Sequence, residues 1–223
     1  MPRPAPTRRP RRPRWRRRPQ ARPEEILEAA IAVFGERGFA RARLDDVARR
    51  AGVSKGTLYL YFRSKDALFR EVVRTLKGGA LGRAEAFVDQ FEGTSGELLG
   101  RLIHRMWEHL SEPRQVAISR LIQSELHRFP ELAQFYFDEV VLRSRRLLEG
   151  VLARGVARGE FRPAQARFAA RGIPALMTML SGLHRSFSRF DPEPLPAEAA
   201  VNGAVDLILY GVVARPDAQP EAA

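Results

Sequence analysis

Apolar side chains recur at three- and four-residue intervals from residue 24 almost to the end of the chain, the period of helices that each bury one face. Ile26, Ala30 and Phe34 stand four apart with Leu27 and Ile31 beside them, and Gly35 and Gly38 mark the end of that stripe. Glu24, Glu25 and Glu28 load its start with charge that a helix N-terminus favours, so the first helix is predicted over 24–37. Two short segments follow at 44–51 and 55–62, separated by Gly52-Val53-Ser54. A fourth helix is predicted over 65–77, with Leu68, Phe69, Val72, Val73 and Leu76 as its apolar face, Ser64 placed to cap it and Asp66 in its first turn. Gly78-Gly79, with Gly82 close by, is expected to weaken or end that helix and to mark a domain boundary.

Further helices are predicted at 81–92, 97–110, 113–127, 130–158, 163–189 and 196–213, separated by glycine and proline signals such as Gly93-Thr94-Ser95-Gly96, Pro113 and Pro130. No strand-like alternation of useful length and no internal repeat interrupts them, so the expected fold class is all-α. The expected organisation is a helix-turn-helix module with its linking helix over 24–77 and a larger helical domain over 78–214. A disordered arm over 1–23 and a disordered tail over 215–223 flank them.

Charge changes the picture at one end only. The chain of 223 residues has a formal net charge of +12, of which residues 1–23 carry +10 through ten arginines and no acid. That Pro/Arg segment has a single large apolar residue, Trp15, too little to offset chain entropy. It is either a polycationic arm that adds salt-sensitive phosphate contacts or a solvated extension, even one from a start site placed too far upstream. No apolar h-region follows it, which disfavours secretion. The longest uncharged stretch, 172–184, has 13 residues, short of the ~18–20 that a membrane span needs. The absence of cysteine excludes a disulfide framework, thiol catalysis and Cys-ligated metal. A cytoplasmic location is therefore expected.

The chemically informative segment is LDDVARRAGVSKGTLYLYF, residues 44–62. Leu44, Val47 and Ala51 supply an inner face and Ala48 a small residue at a close approach, while Gly52 accommodates a left-handed turn. Val53 and Leu58 plug the second helix onto the first, and Ser54 is placed to cap it. That second helix then exposes Lys55, Thr57, Tyr59 and Tyr61, groups suited to phosphates, base edges and thymine methyls, and Gly56 lets the backbone approach DNA. Lys65 can add a phosphate contact at the start of the next helix.

AGVSKGTLYLYFRSKDALF resembles the signature of TetR/AcrR-type transcriptional regulators, and the likeness covers residues 24–76. ELHRFPELAQFYFDE, 125–139, resembles the C-terminal domain of AefR-like members. The resemblance implies a DNA-contact role for Lys55, Thr57, Tyr59, Tyr61 and Lys65. Where the family commonly has Thr or Ser before helix two, this chain has Arg43, so that cap is lost. Asp45 is expected to substitute in part, helix two to fray by a turn, and Arg41 and Arg43 to reach phosphate by charge.

The resemblance also implies a homodimer that uses the last two long helices. Leu176, Leu180, Leu183 and Phe187 form one apolar stripe, and Val201, Val205, Ile208 and Val212 form another, with Leu207 and Tyr210 on a further side. An effector pocket is implied for the central domain, with His104, Met106, Trp107, His127, Phe129, Phe135, Phe137, Met177 and His184 as candidate lining. Their character suits a small apolar or amphipathic effector. The expected partners are thus double-stranded operator DNA, a second copy and that effector, with no cofactor and no metal. An enzyme is disfavoured: His104 and Glu108 lack a second histidine for a usual zinc motif, and no phosphate loop or nucleophile elbow is present. A non-specific DNA-compacting protein driven by the arm is the other alternative, although it needs no large neutral helical domain.

Overall fold

The computed structural model describes residues 23–212, so the Arg/Pro arm, apart from Pro23, and the tail expected after residue 214 lie outside the described residues. Every regular element in that range is helical. The elements are α1 (Pro23–Arg41), α2 (Leu44–Arg50), α3 (Lys55–Tyr61), α4 (Lys65–Val73), α5 (Gly79–Asp89), α6 (Ser95–Ser111), α7 (Pro113–Glu125), α8 (Pro130–Tyr136), α9 (Arg143–Ala157), α10 (Pro163–Phe187) and α11 (Ala197–Val212).

The first helix does not stop at residue 37. Gly38 alone leaves helical geometry, with φ 74° and ψ 160°, and one more turn follows to Arg41. That break folds Phe39 back onto Phe34 and Phe69, at ring separations of 5.5 and 5.2 Å, and against Phe129 at 4.9 Å. Arg43 is extended and offers no side-chain cap to α2. The first turn of α2 is nevertheless intact, because Asp46 and Val47 donate their N–H groups to the Arg43 carbonyl at 3.0 and 3.3 Å. Asp45 does not replace the cap; its carboxylate pairs with Lys55 instead.

Gly78 and Gly79 do not end the fourth helix. Both hold αR geometry, and the chain passes from α4 through a π-helical turn, Arg74–Gly78, directly into α5. A second π-helical turn, Phe137–Leu142, joins α8 to α9, so the long helix predicted over 130–158 is one winding path with a bulge.

Two apolar cores result. The first gathers Ile26, Phe34, Phe39, Val47, Leu58, Leu68 and Phe69 from the N-terminal helices. It is completed by Ile118 and Leu121 of α7 and Leu132 and Phe135 of α8, so it extends past Gly78 in sequence. The second is built from α6, α9, α10 and α11 around Leu99, Ile103, Leu148, Leu152, Ile173 and Met177. A capping box at α6, in which Thr94 and Glu97 exchange hydrogen bonds of 3.0 and 3.1 Å, starts that core's central helix.

Candidate DNA-binding surface and effector cavity

Local sequence positions the DNA-facing helix. Gly52 turns the chain at φ 68°, a conformation that costs a residue with a Cβ about 1 kcal/mol or more. The Val53 N–H then returns to the Ala48 carbonyl at 3.0 Å. Val47, Ala48 and Leu58 are buried between α2 and α3. Ser54 caps α3 by accepting the Thr57 N–H at 3.0 Å, and its hydroxyl shares a hydrogen bond with the Thr57 hydroxyl at 2.8 Å.

With Leu58 turned inward, α3 presents Tyr59, Leu60 and Tyr61 outward, at 43%, 85% and 45% exposure. Leu60 was not among the residues singled out from sequence, although its position opposite Leu58 on the helix carries the signal. Lys55 is exposed, lies 5.8 Å from the Tyr59 ring and pairs with Asp45 at 2.9 Å; the Asp45 hydrogen bond raises its pKa. Arg43 is also exposed. Gly56 lies in the first turn of α3, with nothing beyond the Ser54 hydroxyl near the place of a Cβ.

Lys65 is placed differently from the rest of the set. Its ammonium donates to the carbonyls of Phe39 and Ala40 at 2.7 and 3.1 Å and sits 4.5 Å from the Phe39 ring. Partial burial lowers its pKa. It closes the last turn of α1 rather than projecting with Lys55 and Tyr59.

Below this head a cavity of about 640 Å³ opens between α5, α6, α7, α9 and α10. Leu81, Ala84, Leu102, Val140, Leu147, Leu148 and Pro174 make its apolar wall. Arg83, Arg105, Arg145 and Arg171 supply cations to its lining, with Glu108 and Glu112 as acids. Lys77, from the π-helical turn after α4, also lines it and is only 7% exposed. Its ammonium donates to the Ser119 hydroxyl at 3.1 Å, and burial brings its pKa down to about 8. His109 faces the same space with neither ring nitrogen hydrogen-bonded, its Nδ1 standing 3.6 Å from a Glu112 oxygen. Burial, and then the Lys77 charge, lower the His109 pKa. Burial also raises the Tyr136 phenol to about 12, which leaves a neutral hydroxyl on the wall.

Of the nine residues proposed from sequence to line a pocket, this cavity includes Met106. Phe129 and Phe135 belong to the first core, where Phe135 lies under Arg70 and Arg74. Met177 is fully buried in the second core. Trp107 stacks near His184 at 5.6 Å, Phe137 is exposed beside Arg145, His127 is exposed, and His104 is half-buried away from this lining.

The two predicted dimer stripes also separate. Leu176, Leu183 and Phe187 are exposed on α10, joined by Met179, while Leu180 packs against the second core. Val201 is buried and Val205 and Ile208 pack on that same core, so this stripe faces inward; Leu207 carries exposed apolar surface on α11. The Val212 side chain lies outside the described residues. Among the described residues, no group of three or more His, Asp or Glu side chains is placed to hold a metal, and no helix is long and apolar enough to cross a membrane.

A capped helix-turn-helix in front of a helical body with an internal cavity defines a helix-turn-helix regulator. Residues 26–72 match the family model for bacterial regulatory proteins of the tetR family, and residues 97–211 match that for the AefR-like transcriptional repressor C-terminal domain. The chain belongs to the TetR family of transcriptional regulators. It is 32% identical over 146 residues to the HTH-type transcriptional repressor KstR2 of Mycolicibacterium smegmatis, covering 65% of this chain and 70% of that one. It is 28% identical over 145 residues to the fatty acid metabolism regulator protein of Bacillus subtilis, covering 64% and 73%. The crystal structure of Bacillus subtilis FadR in complex with stearoyl-CoA superposes with a TM-score of 0.70 at 25% identity, over 84% of this chain and 98% of that one. The ketosteroid regulator KstR2 of Mycobacterium tuberculosis superposes with a TM-score of 0.65 at 26% identity, over 86% and 95%.

Proposed function

We propose that this chain is a homodimeric, effector-responsive repressor that occupies a pseudo-palindromic operator and leaves it when an amphipathic acyl compound fills the cavity. The observation that carries this reading is that the cavity wall includes the direct continuation of the head's own fourth helix, from Lys77 through Ala84. An occupant therefore touches the element on which the DNA-contacting helices are mounted. Stearoyl-CoA in the FadR complex supports the acyl class. So does the combination here of an apolar wall with arginines, in a volume typical of ligand pockets at roughly 300–1,000 Å³.

In the dimer, the exposed face of Leu176, Met179, Leu183 and Phe187 meets its copy, and Leu207 extends it. The two α3 helices then enter successive major grooves about 34–36 Å apart. Tyr59, Leu60 and Tyr61 read groove edges, and Arg43, Lys55 and the α3 N-terminus hold phosphates.

The test is selection of genomic DNA fragments by the protein at physiological salt, followed by release with long-chain acyl thioesters. Recovery of one short inverted repeat, released by a thioester, is expected. Featureless recovery would refute operator binding and favour DNA affinity driven by the arginine arm. An operator complex that no acyl compound releases would refute the effector class.

A further inference from the structure

Lys77 is a lysine ammonium taken out of water without a carboxylate in contact. Its exposure is 7% and its hydrogen bond goes to a neutral hydroxyl, Ser119, at 3.1 Å. An ammonium has three donors, and this one lines the cavity with a single hydrogen bond made. His109 lines the same cavity, but both its ring nitrogens are buried, so it is Lys77 and Ser119 that offer donors there. The Ser119 hydroxyl, having accepted from Lys77, keeps its own proton to donate. The nearby carboxylate, Glu112, is half-exposed and stands 3.6 Å from the imidazole, so its near neighbour is His109 and not the Lys77 ammonium. A buried cation with no carboxylate in contact, beside a hydroxyl that can donate, is the complement of an anionic oxygen group.

We infer that Lys77 and Ser119 form a carboxylate receptor in the cavity wall, so that the effector carries a carboxylate in addition to its apolar chain. This rests on the reading of the cavity as an effector site. The carboxylate has two chemical sources: the free head of a long-chain fatty acid, or the distal carboxylate of a dicarboxylic acid held as its thioester. In either case the anion bridges the linking helix, through Lys77, and α7, through Ser119. Next to it Gln115 of α7, itself 1% exposed, donates to the Leu76 carbonyl at 3.4 Å. An anion seated here bears by hydrogen bonds on both elements that support the head, Lys77 after α4 and Ser119 of α7.

The test uses the full chain and four probes below their micellar concentrations: hexadecanoate, its methyl ester, hexadecanoyl-CoA and the mono-CoA thioester of hexadecanedioic acid. Affinities are measured by calorimetry for the parent and for Lys77→Met. The receptor predicts that one carboxylate-bearing probe binds the parent at least about tenfold more tightly than its counterpart without that carboxylate, acid over ester or dicarboxylic over monocarboxylic thioester. Which pair shows the difference identifies the source. Lys77→Met should erase that preference while retaining the probe that lacks the carboxylate, and Ser119→Ala should reduce it in part. The parent comparison stands even if a variant fails to fold. Equal binding within both pairs would overturn the receptor and leave the apolar effector reading intact. Failure of all four probes, with operator binding preserved, would overturn both.

Discussion

Replacing Lys77 by methionine should make the protein more stable at neutral pH, although it deletes a hydrogen bond. The lysine pKa falls from 10.5 to about 8, with burial as the leading cause. At about 1.4 kcal/mol per pH unit, keeping the ammonium charged in the folded state costs about 3 kcal/mol. The sign follows from proton binding. Below pH 8 the folded and unfolded chains both hold the proton, and the cost is felt in full. Between pH 8 and 10.5 the unfolded chain holds more of it than the folded one, so this group makes stability rise with pH. Above 10.5 the cost is gone.

Methionine fills nearly the same volume without the charge, and the lost bond to Ser119 returns about 1 kcal/mol of the gain. The variant should therefore exceed the parent by about 2 kcal/mol at pH 7, and the gap should close across pH 8–10.5. Urea melts at matched protomer concentration and several pH values measure this. Measurements are best kept at pH 7 and above, because the Lys77 charge also lowers the His109 pKa, and removing it alters that titration. A variant less stable than the parent at pH 7, or a gap that does not change with pH, would show that Lys77 is not held charged at a cost.

On the DNA side, Tyr59→Ala should weaken operator binding by about 1–3 kcal/mol and random DNA by less, and equal losses in a competition assay would remove base or groove reading from this ring. Asp45→Ala frees Lys55 from its 2.9 Å ion pair, so affinity should rise on all sequences and the log–log salt slope should steepen by up to about 0.9; an unchanged slope would mean that Lys55 meets no phosphate. Gly38→Ala should destabilise by about 2–3 kcal/mol in a thermal or urea melt, because φ is 74° and the added Cβ would overlap the Glu125 carboxylate; a loss below about 0.5 kcal/mol would mean the turn can adopt another conformation. Leu183→Asp, at a 48% exposed position, should leave a folded monomer by sedimentation, and an intact dimer would place the interface elsewhere.

What the sequence made legible was local. The helix-turn-helix depends on signals within a few residues of one another: small Ala48, Gly52 at positive φ, Ser54 reaching the Thr57 N–H, and Ser64 reaching the Ala67 N–H. The cavity was not legible in that way, because its wall is assembled from residues scattered between 77 and 179 and is largely Ala, Leu and Val with arginines among them. Aromatic type does not mark a lining residue, because such side chains are large enough to fill cores, as Phe129 and Phe135 do. A usable signal was present nonetheless. Phe69, Val73 and Lys77 step by four along one face, which places a lysine on a buried stripe; Lys65 stands four before Phe69 and is half-buried for the same reason. The glycine pair misled because propensity set against tertiary support is weak: α5 is held to α9 by the Arg143–Glu85 pair at 2.5 and 2.6 Å, and the helix runs on.

The same packing constrains how the cavity can speak to the head. Helix α7 is pinned to α1 near both ends: Arg114 pairs with Glu28 at 2.5 Å, and the Glu125 carboxylate takes the Ala40 N–H at 2.8 Å beside Gly38. Between those points the Ala117 methyl stands 3.4 Å from where a Cβ on Gly35 would lie, so the helices are in close contact along their length. Helices packed this tightly slide or tilt as a pair more readily than they separate, since opening them would expose Ile118 and Leu121. Ser119, Ile122 and Gln123 of α7 face the cavity, and so does the continuation of α4. An effector therefore has two handles on the head, one through α7 to α1 and one through Lys77 to α4. Both end in the first core, on whose opposite side Leu58 anchors α3. A displacement that reaches only one handle shears that core, whereas one that reaches both turns the head as a body and, in the dimer proposed above, changes the spacing of its two α3 helices. An anion bound between Lys77 and Ser119 joins the two handles.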